Sequence, residues 1–190
     1  GGYDASPTFA DVDRDGDLDL FIGNNPGCTL FFRNTATVGS ATPAYATAST
    51  NPFGITDVGG NANPAFTDLD RDGDLDLFVG FNGTPNRLYR NTLGTFRDIA
   101  AEVGVADARA TRAAAWGDID ADGDPDLLLG FTPGAGPVLR LYRNDGARFT
   151  DITAASGLTV ETGAVRQPAF IDVDGDGDLD LFVAYRDRAN

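Results

Sequence analysis

The chain has 190 residues, of which 42% are hydrophobic, and this is enough for one globular domain with a sizeable core. Its formal net charge of -15 argues against binding to nucleic acid or anionic membrane surfaces. No apolar run approaches the roughly 20 residues that would span a bilayer, so we expect no membrane insertion. The absence of His removes the usual general base, and the single cysteine excludes an internal disulfide. Because the chain lacks Met and a basic-then-apolar leader, we expect it to be a processed or excerpted piece.

Four aspartate-rich loops recur along the chain, at spacings of 57, 50 and 54 residues. They occupy residues 11–19, 68–76, 118–126 and 172–180, and are called the first to fourth loops. An aromatic residue lies two positions before each loop, and a short apolar run follows it. The loops hold 20 of the 29 acidic residues and two of the 14 arginines, which leaves nine acids against 12 arginines in the rest of the chain. All of the excess negative charge is therefore concentrated in the loops.

The segments between the loops also repeat. Leu-Tyr-Arg-Asn occurs at 88–91 and 141–144, with a variant at 30–34, and Phe-x-Asp-Ile occurs at 96–99 and 149–152. These runs are separated by Gly, Asn, Pro and Asp, so each complete repeat offers about four short strands. Repeats of about 50 residues with four strands each are typical of propeller blades. The sequence predicts an all-β single domain over 1–190, a β-propeller or a segment of one, with repeats at about 5–60, 61–112, 113–165 and 166–190.

Each loop is predicted between the first and second strands of its repeat, and the fourth repeat is predicted to be a half blade. Residues 35–51, rich in Ala, Thr and Ser, are predicted to form an irregular blade edge or surface loop. Residues 100–115 are the segment that fits the strand pattern least well.

The first loop has the residue pattern of a calcium site. Calcium prefers six to eight oxygen ligands at about 2.3–2.6 Å, and carboxylates at alternate positions of a curled loop can converge on one point. Positions one, three and five offer side-chain oxygens, the glycine at position six allows the turn, position seven offers its carbonyl, and position nine closes the shell. Position two is apolar in every loop, and we expect it to anchor the loop to the core: Val12, Leu69, Ile119 and Val173.

Two other cation sites fit the pattern less well. An EF-hand needs a glutamate at position twelve and flanking helices, whereas position twelve here lies in an apolar β-type run. Magnesium requires a tighter octahedral shell and usually keeps several waters, so an all-protein oxygen cage favours calcium.

The order of these motifs resembles FG-GAP/VCBS repeats, the calcium-binding blades of integrin-α-like β-propellers and of many secreted bacterial proteins. The resemblance covers nearly the whole chain and implies about four calcium ions, one per repeat. It implies carboxylate ligands at Asp11, Asp13, Asp15, Asp19, Asp68, Asp70, Asp72, Asp76, Asp118, Asp120, Asp122, Asp126, Asp172, Asp174, Asp176 and Asp180. It implies carbonyl ligands at Asp17, Asp74, Asp124 and Asp178.

We therefore expect an extracellular, calcium-binding structural or adhesion module rather than an enzyme. Because the fourth repeat is incomplete and would leave an open strand edge, we expect self-assembly into a ring or filament. The alternative is a ligand-binding adhesion fragment of a larger secreted or surface protein, with a protein or glycan ligand. A calcium-dependent hydrolase is the remaining alternative, and its candidate acids are Glu102, Glu161 and Asp107.

Overall fold

A computed structural model describes residues 5–25, 27–57, 61–134, 136–158 and 163–186. The described chain is all-β apart from one helical turn, α1 (Ala100–Val103), and one 3₁₀ turn (Pro52–Gly54). It forms four antiparallel sheets of four, four, four and two strands, in chain order within each sheet. No helix among the described residues is long and apolar enough to span a membrane.

Each of the first three sheets is a meander of consecutive strands, and the fourth contains one hairpin. The first sheet contains β1 (Ser6–Ala10), β2 (Asp19–Gly23), β3 (Thr29–Phe32) and β4 (Ser49–Thr50). The second contains β5 (Asn63–Thr67), β6 (Asp76–Gly80), β7 (Arg87–Thr92) and β8 (Thr95–Asp98). The third contains β9 (Thr111–Gly117), β10 (Asp126–Phe131), β11 (Leu139–Asn144) and β12 (Phe149–Asp151). The fourth contains β13 (Val165–Ile171) and β14 (Asp180–Tyr185).

The all-β prediction and the position of each loop between first and second strands agree with this structure. Residues 35–51 are largely irregular, with one isolated bridge between Asn34 and Tyr45 before β4. Residues 100–115 contain α1, an irregular segment over 104–110 and the start of β9. Closure of the sheets into a propeller is not shown by the described residues and stays a prediction.

The sheets stack side by side through their first strands, with β1 beside β5, β5 beside β9, and β9 beside β13. The buried core lies between sheets: Phe21 packs with Leu77 and Val79, and Phe78 packs with Leu127 and Leu129. A single repeat cannot enclose its own apolar face, so its stability depends on its neighbours.

Glycine at the end of the second strand allows this close stacking. A Cβ atom on Gly23 would lie 2.0 Å from the carbonyl oxygen of Ala62 and 2.7 Å from Cδ of Pro64. A Cβ atom on Gly80 would lie 2.5 Å from Cγ2 of Thr111 in the next sheet, and one on Gly130 would lie 2.4 Å from Cγ1 of Val165. The glycine that ends each of these apolar runs is therefore required by the approach of the next sheet.

We predict that Gly23→Ala lowers the free energy of unfolding by roughly 2–3 kcal/mol, because the methyl group overlaps backbone that cannot move aside easily. Chemical denaturation monitored by circular dichroism measures this loss. Gly134→Ala is the matched control, since a Cβ atom on Gly134 would lie 4.0 Å from its nearest neighbour, the carbonyl oxygen of Thr132. Equal stability of the two variants would contradict this account of the stacking.

Candidate metal centres

The four loops lie at corresponding ends of the four sheets, and the ninth position of each begins the second strand. The first and sixth positions close each loop by a hydrogen bond. The amides of Gly16, Gly73, Gly123 and Gly177 donate to position one at 3.0, 3.0, 2.8 and 3.1 Å. These glycines have φ between 85° and 96°, in the left-handed region that favours glycine. The sequence-based role of position six therefore agrees with the structure.

Position four is also left-handed in every loop, which sequence reasoning missed. Arg14, Arg71 and Ala121 have φ of 58°, 60° and 57°, and Gly175 has φ of 77°. Such backbone is uncommon for residues other than glycine, and its repetition in three loops marks it as part of the loop design. Only the glycine at position 175 signals this conformation in the sequence.

The loop geometry brings predicted ligands together. In each loop, three carboxylate groups each offer an oxygen, and these oxygens all lie within 4.8 Å of one another. The groups are Asp11, Asp13 and Asp15; Asp68, Asp70 and Asp76; Asp118, Asp120 and Asp122; and Asp172, Asp174 and Asp180. Three of the four predicted carboxylate ligands therefore converge in every loop.

The ninth position ties each loop to its sheet. Asp76 is fully buried, and its two carboxylate oxygens accept hydrogen bonds from the amides of Leu69 and Asn91, both at 2.7 Å. Asp19 bonds Val12 and Asn34, and Asp126 bonds Ile119 and Asn144, in the same arrangement. In the first three loops, the ninth aspartate thus connects the start of its loop to the asparagine at the end of the third strand or just after it.

Burial raises the pKa of Asp76 to about 6, although the two amide donors oppose the shift, and Asp70 and Asp72 add to it. The pKa values of Asp19 and Asp126 are raised for the same first cause. These are carboxylates placed where a negative charge is unfavourable without a compensating cation.

The asparagine of Leu-Tyr-Arg-Asn has a role that sequence reasoning did not assign. Besides its backbone amide bond to Asp76, Asn91 donates its side-chain amide to the carbonyl of Leu75 at 3.1 Å. Asn144 does the same to Pro125 at 3.2 Å. This residue fixes positions eight and nine of the loop from the neighbouring strand, and its recurrence after Arg is the signal that could have revealed it.

The carboxylate oxygens of the loops suit a hard cation. Oδ1 of Asp68, a member of the second loop's carboxylate cluster, is buried and has no hydrogen-bond partner among the described residues. Buried carboxylate oxygens normally have such a partner, and an all-oxygen cluster is the ligand chemistry that calcium prefers. The residues present therefore fit a calcium ion.

Comparison with known families decides the classification. A model described as an FG-GAP-like repeat matches the chain three times, over residues 11–79, 68–129 and 131–183. The chain belongs to the FG-GAP-like repeat family. No curated protein matches it. FG-GAP-like repeats are typical of extracellular or surface proteins, suggest an adhesion or ligand-binding module, and are typically non-enzymatic.

Within these FG-GAP-like repeats, the fourth loop differs from the others. Val12 and Leu69 are each 6% exposed and anchor their loops as predicted, whereas Val173 is 72% exposed. The predicted anchoring role of Val173 is therefore wrong in the described structure, since no apolar group covers it there. Asp180 is also exposed, and its carboxylate bonds the amide of Val173 at 3.1 Å.

In the first two repeats, the arginine of the Leu-Tyr-Arg-Asn segment contacts its own loop, whereas Arg143 of the third repeat pairs with Asp145. Arg33 forms an ion pair with Asp13, and Nε of Arg90 lies 3.3 Å from Oδ2 of Asp70. Arg87 on the same strand pairs with Asp98 at 2.6 Å. These contacts explain the arginines within a single FG-GAP-like repeat without a partner molecule.

Of the three acids considered for hydrolysis, the structure describes Glu102 and Asp107, and both pair with arginines. Glu102 is exposed and pairs with Arg97 at 2.5 Å, and Glu161 lies outside the described residues. Asp107 accepts hydrogen bonds from Arg109 and Arg140, each at 2.8 Å. Burial would raise the pKa of Asp107, but the bonds and charges of these arginines outweigh it and hold the pKa below its ordinary value. A general acid at neutral pH needs the opposite shift.

We predict that Asp107→Asn lowers the free energy of unfolding by roughly 2–3 kcal/mol at pH 7, because it leaves two arginines without their carboxylate. Since the folded pKa of Asp107 is lowered, its contribution is present above about pH 4 and is lost as pH falls through the folded value. The difference from wild type should therefore shrink in acid denaturation series. Asp145→Asn, which removes an exposed carboxylate paired with Arg143, is the control and should change stability much less.

Proposed function

We propose that the chain is an extracellular adhesion or ligand-binding module in which each of the four loops binds one calcium ion. The observation that carries the proposal is the convergence of three carboxylates in every loop, together with the unpartnered buried oxygen of Asp68. Calcium would supply positive charge at the centre of each loop and hold the loop in one conformation. Its ligands would be the aspartates at positions one, three, five and nine, with the carbonyl of position seven.

The charge distribution supports a structural role for these ions. The chain outside the loops has more arginines than acidic residues, so the net charge of -15 arises from the loops alone. Four divalent cations would reduce that charge by about half, to an ordinary value for a soluble domain. Extracellular calcium sites typically have Kd values of about 10⁻⁴–10⁻³ M, which suits the calcium concentration outside cells.

Isothermal titration calorimetry tests this proposal. The metal-free protein should bind about four calcium ions, and a variant with Asp70→Asn and Asp72→Asn should bind about three. The control is the paired substitution Asp98→Asn and Asp151→Asn. These residues end β8 and β12, outside the four loops, so the number of bound calcium ions should be unchanged. Absence of calcium binding by the folded wild-type protein would contradict the proposal.

Assembly with other copies is a second proposal, favoured by the surface of the fourth sheet. Phe182 and Ile171 are 65% and 52% exposed on this hairpin, so apolar area and strand backbone are accessible together. Strand addition to such a sheet is a common mode of protein association. Light scattering and negative-stain microscopy in calcium should reveal oligomers that Phe182→Ser abolishes. Discrete monomers would favour the ligand-binding alternative, with a protein or glycan as the partner.

A further inference from the structure

The fourth position of the first loop reaches across to the second loop. Nη2 of Arg14 donates to the carbonyl oxygen of Asp72 at 3.0 Å and lies 2.9 Å from Oδ1 of Asp74. Asp74 is buried, and its other carboxylate oxygen accepts a bond from the amide of Leu93 at 2.7 Å. The side chain of Asp74 is therefore fixed from both sides and leaves the cation to the other aspartates of its loop.

The same bridge occurs between the second and third loops. Arg71 donates to the carbonyl oxygen of Asp122 at 3.1 Å and pairs with Oδ1 of Asp124 at 2.6 Å. In both bridges, position four of one loop contacts positions five and seven of the next. Because the contact recurs atom for atom across two different junctions, it is a property of the repeat.

The glycine at position six makes room for each bridge. A Cβ atom on Gly73 would lie 2.8 Å from Nη2 of Arg14, and one on Gly123 would lie 2.4 Å from Nη2 of Arg71. The guanidinium group therefore lies directly on the turn that curls the neighbouring loop. This glycine has two constraints, its backbone conformation and the space that the arginine occupies.

The junction between the third and fourth loops lacks this contact. Position four of the third loop is Ala121, which keeps the left-handed backbone with φ of 57° but has no guanidinium group. Consistently, a Cβ atom on Gly177 would meet nothing within 4 Å among the described residues. The chain thus contains two bridged junctions and one unbridged junction of otherwise similar design.

We propose that Arg14 and Arg71 are positioning residues that couple calcium binding between neighbouring loops, so that the first three loops bind cooperatively and the fourth binds independently. This inference rests on the proposed function. A cation in one loop fixes its positions five and seven, which hold the arginine of the preceding loop. That arginine is at position four of its own loop, between the predicted ligands at positions three and five. Fixing the arginine therefore also restricts the positions of these two ligands.

Direct electrostatics acts against this coupling and must be separated from it. Two bound cations repel each other, and the arginine itself is positive, so charge alone predicts weaker binding beside an occupied or arginine-bearing loop. The ion pairs are also partly exposed, with Arg14 and Arg71 side chains 45% and 54% accessible, which limits their effect on stability. The decisive quantity is therefore the response of one loop to its neighbour.

Calcium titrations followed by NMR can measure each loop separately, because the amides of Gly16, Gly73, Gly123 and Gly177 report on their own loops. The third loop is disabled by Asp120→Asn with Asp122→Asn. With Arg71 present, this change should weaken calcium binding at Gly73 roughly five-fold or more, the low end of typical coupling. In an Arg71→Gln background, it should weaken binding by less than about two-fold.

Two controls remove the effect of charge. Disabling the fourth loop by Asp174→Asn with Asp176→Asn removes the same charge, and should change binding at Gly123 by less than about two-fold at about 0.15 M salt. Arg97→Gln removes an equal charge elsewhere and should preserve the coupling. Where Arg71→Gln fails to fold, Ala121→Arg tests the inference in the opposite direction, since it should make the third loop respond to the fourth.

The titrations distinguish a failure of the coupling between loops from a failure of calcium binding itself. Equal weakening at Gly73 with and without Arg71, equal responses at bridged and unbridged junctions, or no gain from Ala121→Arg would overturn the coupling while leaving calcium binding intact. No calcium response at any of the four glycines would overturn the proposed function, and the coupling with it.

Discussion

Removal of calcium should lower the melting temperature of the protein by about 10–20 °C. At about 1 mM calcium and a Kd of roughly 0.1 mM, each site adds about 1.4 kcal/mol, and four sites add roughly 5–6 kcal/mol. A domain of this size changes its melting temperature by about 2–4 °C per kcal/mol. Differential scanning calorimetry in calcium and in EDTA measures the shift directly.

Calcium dependence of this size follows from the position of the carboxylates. Oxygens of three aspartates lie within 4.8 Å of one another in each loop, and the ninth aspartate of three loops is buried. Without cations these charges repel at the ends of every sheet. Excess calcium added after EDTA should restore the transition, and magnesium at the same concentration should restore it less. An unchanged melting temperature in EDTA, with metal content verified by mass spectrometry, would contradict a structural role for calcium.

Asp76→Ala should cause the largest loss of stability of any single loop substitution, roughly 3–7 kcal/mol in the presence of calcium. The substitution removes a predicted ligand and also leaves the buried amides of Leu69 and Asn91 without an acceptor. One site contributes about 1.4 kcal/mol, and each orphaned buried donor costs about 1–3 kcal/mol. Urea denaturation in calcium measures the sum.

Asp180→Ala in the fourth loop is the matched control. Asp180 occupies the same position, but it is exposed and bonds only the amide of Val173 among the described hydrogen bonds. Its loss should therefore remove about 1.4 kcal/mol, the contribution of one cation. Similar losses for the two variants would show that burial and the third-strand contact at Asp76 contribute nothing.

The same comparison in EDTA should give a smaller difference between the variants. Burial raises the pKa of Asp76 to about 6, above its ordinary value of 3.8. Because the raised value favours the protonated form in the folded protein, ionisation of Asp76 costs stability as pH rises from about 4 to about 6. Removing the carboxylate in metal-free protein at neutral pH therefore relieves the cost of ionising Asp76, and this offsets part of the stability lost with its two hydrogen bonds.

Much of the repeat and its loop could be predicted from residue spacing. The glycine at position six, the apolar second strand and the recurring Leu-Tyr-Arg-Asn segment indicated strand, loop and strand in the order the structure has. Alternating aspartates around a glycine indicated convergence, which the structure has in all four loops. These features are local, because they depend on residues only a few positions apart.

Features that depend on contacts between strands and sheets could not be predicted in the same way. Neither the bond from Asn91 to Asp76 nor the bridge from Arg14 to Asp74 follows from spacing, since 15 and 58–60 residues separate the partners and many pairings fit the composition. The exposure of Val173 likewise depends on what packs over the fourth loop. The left-handed backbone at Arg14, Arg71 and Ala121 runs against the preference of those residue types, so the residues at these positions do not indicate it.

Crystals grown in calcium provide the most direct test of the central claim, that calcium occupies all four loops. Anomalous difference maps should contain four peaks, each about 2.3–2.6 Å from oxygens of positions one, three and five of its loop. Well-ordered loops without anomalous peaks, at a calcium concentration of several millimolar, would contradict it.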